Sequence, residues 1–339
     1  MTQTVFITGV SGYIGLHCAA EALKSGYHVK GSVRSRAKEK EVRESLAAAA
    51  ISTENLEFVE LDLNSDQGWE EAVKGCTFML HVASPFTIAN PKSDDEVIAP
   101  AVEGTLRVLR ASQQASVKRV VLTSSILSMM GSMKTGTFGP EDWTDAKDPQ
   151  ISTYTRSKTL AEKAAWDFVE QQSGEAPIEL VVINPGGVFG PPLGKNISGQ
   201  TMQMVDQMLR GKMPMVPNAA FPMVDVRDVA KLHVQAMTKS EAKGQRLIAA
   251  SDHAFGFAQI AQVLKDEGYQ GPSTRIAPSF LLRFLALFDR EAKGTVGFLG
   301  MNPSADNSKT RELFAWTPTP LEQSVVETAQ KVSQISGSR

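Results

Sequence analysis

Thr8-Gly9-Val10-Ser11-Gly12-Tyr13-Ile14-Gly15 is the stretch whose reading decides the fold. An apolar strand-like run, Thr4–Thr8, leads into it, and a helical run, Tyr13–Lys24, leads out of it. Each glycine has a physical use at such a junction. Gly9 permits the tight turn, Gly12 lets backbone approach a pyrophosphate, and Gly15 lets the helix pack closely on the strand. The helix start adds unpaired N–H groups and the positive end of its dipole. The bland alternative is an ordinary strand–helix turn.

Outward from this turn, strand and helix patterns alternate. Strands are predicted at His28–Val33, Leu56–Leu61, Phe78–Val82, Arg119–Thr123 and Ile178–Ile183, and helices at Ala37–Ala49, Gly68–Lys74, Val97–Ala115 and Thr153–Gln171. Such alternation implies an α/β chain with a doubly wound parallel sheet, helices on both faces and right-handed crossovers. After Asn184 the pattern loosens, and 186–223 is rich in Gly, Pro and Met. Val224–Met237 and Arg246–Ala250 read as a return to the main sheet; Phe255–Glu267, Ser279–Phe288 and Leu321–Ile335 read as helices of a smaller lobe. The expected organisation is a nucleotide domain over 1–185 that also receives 224–250, a C-terminal substrate lobe from 186–223 and 251–335, and a polar tail at 336–339.

The end of the second strand selects the cofactor. NAD sites usually carry an acidic residue there for the ribose hydroxyls. Here the run is Gly31-Ser32-Val33-Arg34-Ser35-Arg36-Ala37-Lys38, with Arg34 in that place. A guanidinium can pair with a 2′-phosphate, so NADP(H) is expected, with Arg36, Lys38 or Lys40 as a second cation or as solvated charges. Asp62-Leu63 follows the third strand, where the carboxylate can accept from an adenine amino group or cap the next helix, two compatible roles. Val82-Ala83-Ser84 ends the fourth strand and leaves room for ribose and nicotinamide.

Tyr154 and Lys158 stand four apart on one helix face. A free phenol has a pKa of about 10. A neighbouring ammonium is expected to lower it and make the pair a workable general acid. Ser124 and Ser125 end the fifth strand, at the sheet edge where ligands bind, and a hydroxyl there can hold an oxygen as charge develops.

With 339 residues, 42% hydrophobic and 21% charged, the chain can bury a sizeable core. A net charge of −2 makes no case for nucleic acid or an anionic membrane surface. The two cysteines, Cys18 and Cys76, fit a reduced cytoplasmic protein, and no metal site is expected. No signal peptide or bilayer-spanning run is read in the sequence.

Taken together these residues resemble the extended short-chain dehydrogenase/reductases, in their dihydroflavonol 4-reductase-like branch with cinnamoyl-CoA reductases and microbial aldehyde and ketone reductases. The likeness runs through Thr8–Gly15, Val33-Arg34, Asp62-Leu63, His81–Pro85, Pro100–Thr105, Leu122–Ser125, Tyr154–Glu162, Asn184–Gly186, Val226–Ala230 and Leu313–Pro318. The resemblance implies a Rossmann fold and NADPH as hydride donor. It makes Tyr154 the acid, Lys158 the phenol-tuner and ribose ligand, and Ser125 rather than Ser124 the carbonyl holder. It puts Pro185 and Val188 at the nicotinamide and Ser198 at a phosphate. Leu127-Ser128-Met129-Met130-Gly131 replaces the polar segment with which plant flavonoid reductases hold their substrate, so a flavonoid is not expected. Phe86, Leu127 and Phe189, with Met129, Met202, Phe221 and Met223, either line an apolar substrate pocket or pack the core.

The expected function is NADPH-dependent reduction of a small aldehyde or ketone. The rivals are a nucleotide-sugar epimerase or dehydratase of the same superfamily, and a sensor that holds NADPH without turnover. Arg34 and the Met-rich segments weigh against the first; the Tyr–Lys pair weighs against the second. The apolar Pro278–Phe288 stretch is a core helix, a cleft cover or an oligomer contact. Helices corresponding to Val97–Ala115 and Thr153–Gln171 form dimer bundles in many relatives, so a monomer or homodimer is expected.

Overall fold

The computed structural model describes residues 2–84, 93–173, 177–197, 199–288 and 296–338. Seven parallel strands form the central sheet, in the spatial order β10-β7-β5-β4-β1-β2-β3. They are β1 (Thr4–Thr8), β2 (His28–Val33), β3 (Leu56–Glu60), β4 (Phe78–His81), β5 (Arg119–Thr123), β7 (Glu179–Pro185) and β10 (Arg246–Ala249). The inner strands β1, β4, β5 and β7 are almost wholly buried, as a parallel sheet covered on both faces requires. The sequence order reverses between β1 and β4, so the crevice at their C-terminal ends is the place this topology offers a ligand.

Helices α1 (Tyr13–Lys24), α2 (Ala37–Ala48) and α8 (Val226–Ala236) cover one face; α3 (Trp69–Val73), α4 (Asp95–Gln114) and α6 (Thr153–Glu170) cover the other. Val5, Ile7 and Leu80 point to the first layer, while Phe6, Met79 and Leu122 point to the second. This is the period-two alternation of a strand. Burying each such side chain contributes roughly 1.5–3 kcal/mol.

The region after β7 departs from the expected outline. β8 (Gly187–Phe189), β9 (Ala220–Asp225) and β11 (Ala254–Gly256) form a separate three-stranded sheet, and the short β6 (Thr137–Phe138) pairs with Ser304–Ala305. Val224 therefore pairs with Val188 there and not in the main sheet. Arg246–Ala249 does join the main sheet, beside β7. Gly186 makes the junction possible: a Cβ there would lie 2.2 Å from the Pro222 carbonyl oxygen. Helices α7 (Gln200–Leu209) and α9 (Phe257–Asp266) and the closing helix Leu321–Ser336 pack together around Met202, Val205, Leu264 and Val325.

Helix α10 (Ser279–Leu285) buries none of its residues, and Phe280 and Phe284 are 76% and 58% exposed, so Pro278–Phe288 is not a core helix. The C-terminus is polar but anchored. Ser338 is buried, and its hydroxyl donates to Asp206 at 3.2 Å. Among the described residues, no helix is long and apolar enough to cross a membrane.

Candidate active site

The glycine turn is built as its residues require. Gly9 has φ +66°, and a Cβ on it would meet the Ala83 Cβ at 2.9 Å; a Cβ on Gly15 would lie 2.2 Å from the Gly9 carbonyl oxygen. Gly9 N–H donates to Ser32 Oγ at 3.1 Å, which ties the turn to the end of β2. Among the described residues no side chain caps the start of α1, so its first N–H groups are available to an anion. Tyr13 spends its hydroxyl on the Gly190 carbonyl at 2.6 Å, and Ile14 packs against the core.

Thr8 fixes the neighbouring strand end. Its Oγ1 accepts from the backbone N–H of Val82 and of Ala83 at 3.0 and 2.9 Å. Its single proton therefore goes to His81 Nδ1, 2.9 Å away. His81 is neutral, because burial and then the Lys158 charge hold its pKa down to about 3.

Arg34 is exposed and makes no hydrogen bond or ion pair with the described residues. Arg36 and Lys38 instead hold Glu39 and Glu41 at 2.8 and 2.7 Å, and Lys40 faces Glu44 at 3.8 Å. Among the described residues, Arg34 is the cation at this strand end with no hydrogen-bond or ion-pair partner. Asp62 does not cap the next helix, whose N-cap is Gly68. Its Oδ1 accepts from Asn64 N at 2.9 Å, and Oδ2 has no partner among the described residues. A turn that a single methyl would fill, an uncapped helix start and an unengaged guanidinium fit a nicotinamide dinucleotide with a 2′-phosphate.

The two serines ending β5 have different lives. Ser124 Oγ donates to the buried Glu162 carboxylate. Ser125 Oγ accepts from Leu127 N–H at 3.2 Å, and its own proton has no acceptor among the described residues. Helix α5 (Leu127–Met130) holds Ser125 in place, with Ser128 N–H and Asn184 Nδ2 donating to the Ser125 carbonyl at 3.0 and 3.2 Å.

Tyr154 and Lys158 lie in the first half of α6, whose N-cap Ser152 accepts from Thr155 N–H. Lys158 is 7% exposed and donates to the Thr123 carbonyl at 3.4 Å. Burial brings its pKa down to about 8, against the opposing pull of Glu162. The expected lowering of the Tyr154 pKa is not what the structure gives. Burial pushes the phenol up, because a phenolate deprived of water is costly. Tyr154 is thus held in its protonated form.

Lys158, Thr123, Ser124, His81, Ala83 and Ser84 line one small cavity at the strand ends, of which Ser125 and Tyr154 are not lining residues. The cavity continues past Thr105 of α4 to Glu162. Pro185 ends β7 and is buried, and Val188 is half-buried on β8. Phe189 is not placed as a pocket residue: at 2% exposed it packs with Met202, Val205 and Val325, and Met223 joins the same cluster. Met129 is likewise core, while Leu127 and Phe221 are partly buried beside it. Phe86 and Ser198 lie outside the described residues.

What the sequence reading missed is the centre of this end of the sheet, Glu162 with Arg246. The signal was available in part: Glu162 is one turn beyond Lys158, on the same inward face of α6.

Residues 5–249 match the NAD dependent epimerase/dehydratase family. The chain belongs to that family, the extended short-chain dehydrogenase/reductases, and carries their parallel nucleotide-binding sheet. Within it, the chain is 29% identical over 354 residues to an NADPH-dependent methylglyoxal reductase of Saccharomyces cerevisiae, covering 99% of both chains. It is 34% identical over 273 residues to a cinnamoyl-CoA reductase of Medicago truncatula, covering 78% of this chain and 80% of that one. Its fold superposes on the crystal structure of yeast methylglyoxal/isovaleraldehyde reductase complexed with NADPH with a TM-score of 0.80 and 26% identity, over 99% of this chain and 100% of that one.

Proposed function

We propose that the protein is an NADPH-dependent reductase that converts the carbonyl of a small, mainly apolar aldehyde or ketone into an alcohol. One observation carries this reading. Lys158 and Ala83 line a single cavity, and Ala83 abuts Gly9, so the amine of the Tyr–Lys helix opens onto the crevice floored by the glycine turn.

Gly9, Ser11, Gly12, Tyr13 and Ile14 hold the pyrophosphate through backbone. Arg34 holds the 2′-phosphate, and Asp62 and Leu63 flank the adenine. Val82, Ala83, Ser84, Pro185 and Val188 shape the nicotinamide end. When bound, NADPH supplies the hydride. Ser125 gives its unengaged proton to the carbonyl oxygen as a hydrogen bond and stabilises the charge that grows there. Tyr154, kept protonated by burial, delivers the proton that completes the alcohol. Lys158 brings positive charge to the phenol and to a ribose hydroxyl.

In this reading residues 1–185 and 224–250 serve the nucleotide, and 186–223 with 251–335 shape the substrate side, Leu127 among them. The enzyme works in the cytoplasm as a monomer or homodimer. The test is Tyr154→Phe, followed by NADPH absorbance with methylglyoxal and by NADPH fluorescence for binding. NADPH affinity is expected to stay within about threefold, while turnover falls by at least about 100-fold. Undiminished turnover would remove Tyr154 as the acid.

A further inference from the structure

Glu162 is 1% exposed and sits where β5, α6, β7 and β10 converge. Its Oε2 accepts from Ser124 Oγ, Ser128 Oγ and Asn184 Nδ2, the last at 2.8 Å. Its Oε1 accepts from Arg246 Nε at 2.6 Å. Arg246 is itself locked, donating to the carbonyls of Pro140 and Asp142 at 2.6 and 2.7 Å and stacking 3.6 Å over the Trp143 ring. Four donor groups thus lie within hydrogen-bond reach of this buried carboxylate.

Two of those donors reach the residue that meets the substrate oxygen. Asn184 Nδ2, with two N–H, donates to both Glu162 and the Ser125 carbonyl, the latter at 3.2 Å, while Ser128 Oγ lies 2.7 Å from the Ser125 carbonyl and within reach of Glu162, its one proton serving one of them at a time. On its other side Glu162 lines the same cavity as Lys158. The polar groups that meet Lys158 or line its cavity from the packed elements are the Thr123 carbonyl of β5, neutral His81 of β4, Thr105 of α4 and Glu162 of α6 itself. Asn184 of β7 is uncharged, and Arg246 of β10 lies beyond Glu162. Among the described residues facing this cavity, Glu162 is the anion.

We propose that Glu162 is a positioning residue for the reduction, a buried anion that fixes the Ser125 loop and supplies the counter-charge that keeps Lys158 cationic. The inference rests on the carbonyl-reductase reading above. Burial alone draws the Lys158 proton off early, and Glu162 opposes that loss.

Glu162→Gln alone strands Arg246 and invites misfolding, so the informative variant is the double replacement Glu162→Gln with Arg246→Met, which removes both charges. Three readouts apply to it. NADPH affinity, by fluorescence, is expected to stay within about threefold, because Glu162 is not among the residues that hold the nucleotide. The Lys158 titration midpoint, by NMR of 13C-lysine protein assigned with Lys158→Arg, is expected to move at least about half a pH unit toward acid. Methylglyoxal turnover is expected to fall at least about tenfold at pH 7, with its alkaline limb moving the same way as the NMR midpoint.

A folded double variant with unmoved Lys158 titration overturns the proposal, whatever its turnover. Lost turnover with an unmoved limb means a structural clamp only and also overturns it. Absence of turnover in the unmodified protein with every carbonyl tried sinks the reductase reading instead, while the NMR midpoint still decides whether Glu162 governs the Lys158 charge.

Discussion

Replacing Ser124 and Ser125 one at a time separates two neighbours that the sequence makes nearly interchangeable. Ser125→Ala removes a hydroxyl whose proton has no acceptor among the described residues. Losing one donor to a developing oxyanion costs about 2.7–4 kcal/mol at the transition state, or roughly 100- to 1000-fold in kcat. It also strands the half-buried Leu127 N–H, worth about 1 kcal/mol of stability. Ser124→Ala removes a buried bond to an ionised carboxylate, worth about 1.5–3 kcal/mol. An unfolding entropy of about 2.1 cal/mol/K per residue gives roughly 0.7 kcal/mol/K for 339 residues. Ser124→Ala should therefore lower Tm by about 2–4 °C and reduce kcat less than about tenfold, whereas Ser125→Ala should lower Tm by about 1–2 °C and nearly abolish kcat. Differential scanning calorimetry and NADPH-oxidation kinetics on the two variants read both quantities. If Ser124→Ala proves the slower enzyme, the assignment of roles is wrong.

Arg34→Glu should shift preference from NADPH toward NADH by at least about tenfold, since it exchanges a charge-assisted pair for repulsion; an unchanged kcat/KM ratio would take Arg34 out of the site. Gly15→Ala forces a methyl to 2.2 Å from the Gly9 carbonyl oxygen, so the turn must move. NADPH binding by titration calorimetry should weaken at least about tenfold, and retention of full affinity would show that the turn does not cradle phosphate. The pH profile has a definite sign. The Lys158 pKa is lowered to about 8, so its ammonium form predominates below that pH and is lost as pH rises through it. Carbonyl reduction should fall on that limb, and a kcat level to about pH 9.5 would mean that the cation is not needed.

The nucleotide end was legible because its information is local. Gly9 and Gly15 sit where a Cβ meets Ala83 or the turn's own carbonyl, and such constraints write themselves into a few adjacent positions. The parallel sheet was legible for a similar reason, since strands buried on both faces read as unbroken apolar runs. The region after Pro185 was not, because apolarity does not say which sheet a strand will join. Val224 was as apolar as a main-sheet residue and pairs instead with Val188. Phe189 and Met202 read equally well as pocket or as core, and only packing decides between them. The exposed Phe280 and Phe284 show the same ambiguity from the other side. Glu162 was hidden because a lone acid on a helix usually faces water. Its partner Arg246 lies 84 positions away, and that a strand there joins the main sheet does not say which helix residue its side chain will meet. The direction of the Tyr154 shift was misjudged because sequence spacing gives the neighbour but not the depth of the phenol.

The pairing of Glu162 with Arg246 has a consequence for how the chain comes into being on the ribosome. The acid is translated long before the base, and the strand that carries the base is the outermost of its sheet. Until β10 emerges and docks, an N-terminal portion that has already collapsed would enclose a carboxylate with no cation, which is costly enough to hold that portion open. Completion of the catalytic end is thereby deferred until most of the polypeptide exists, and a chain cut short before residue 246 should remain a substrate for chaperones and proteases.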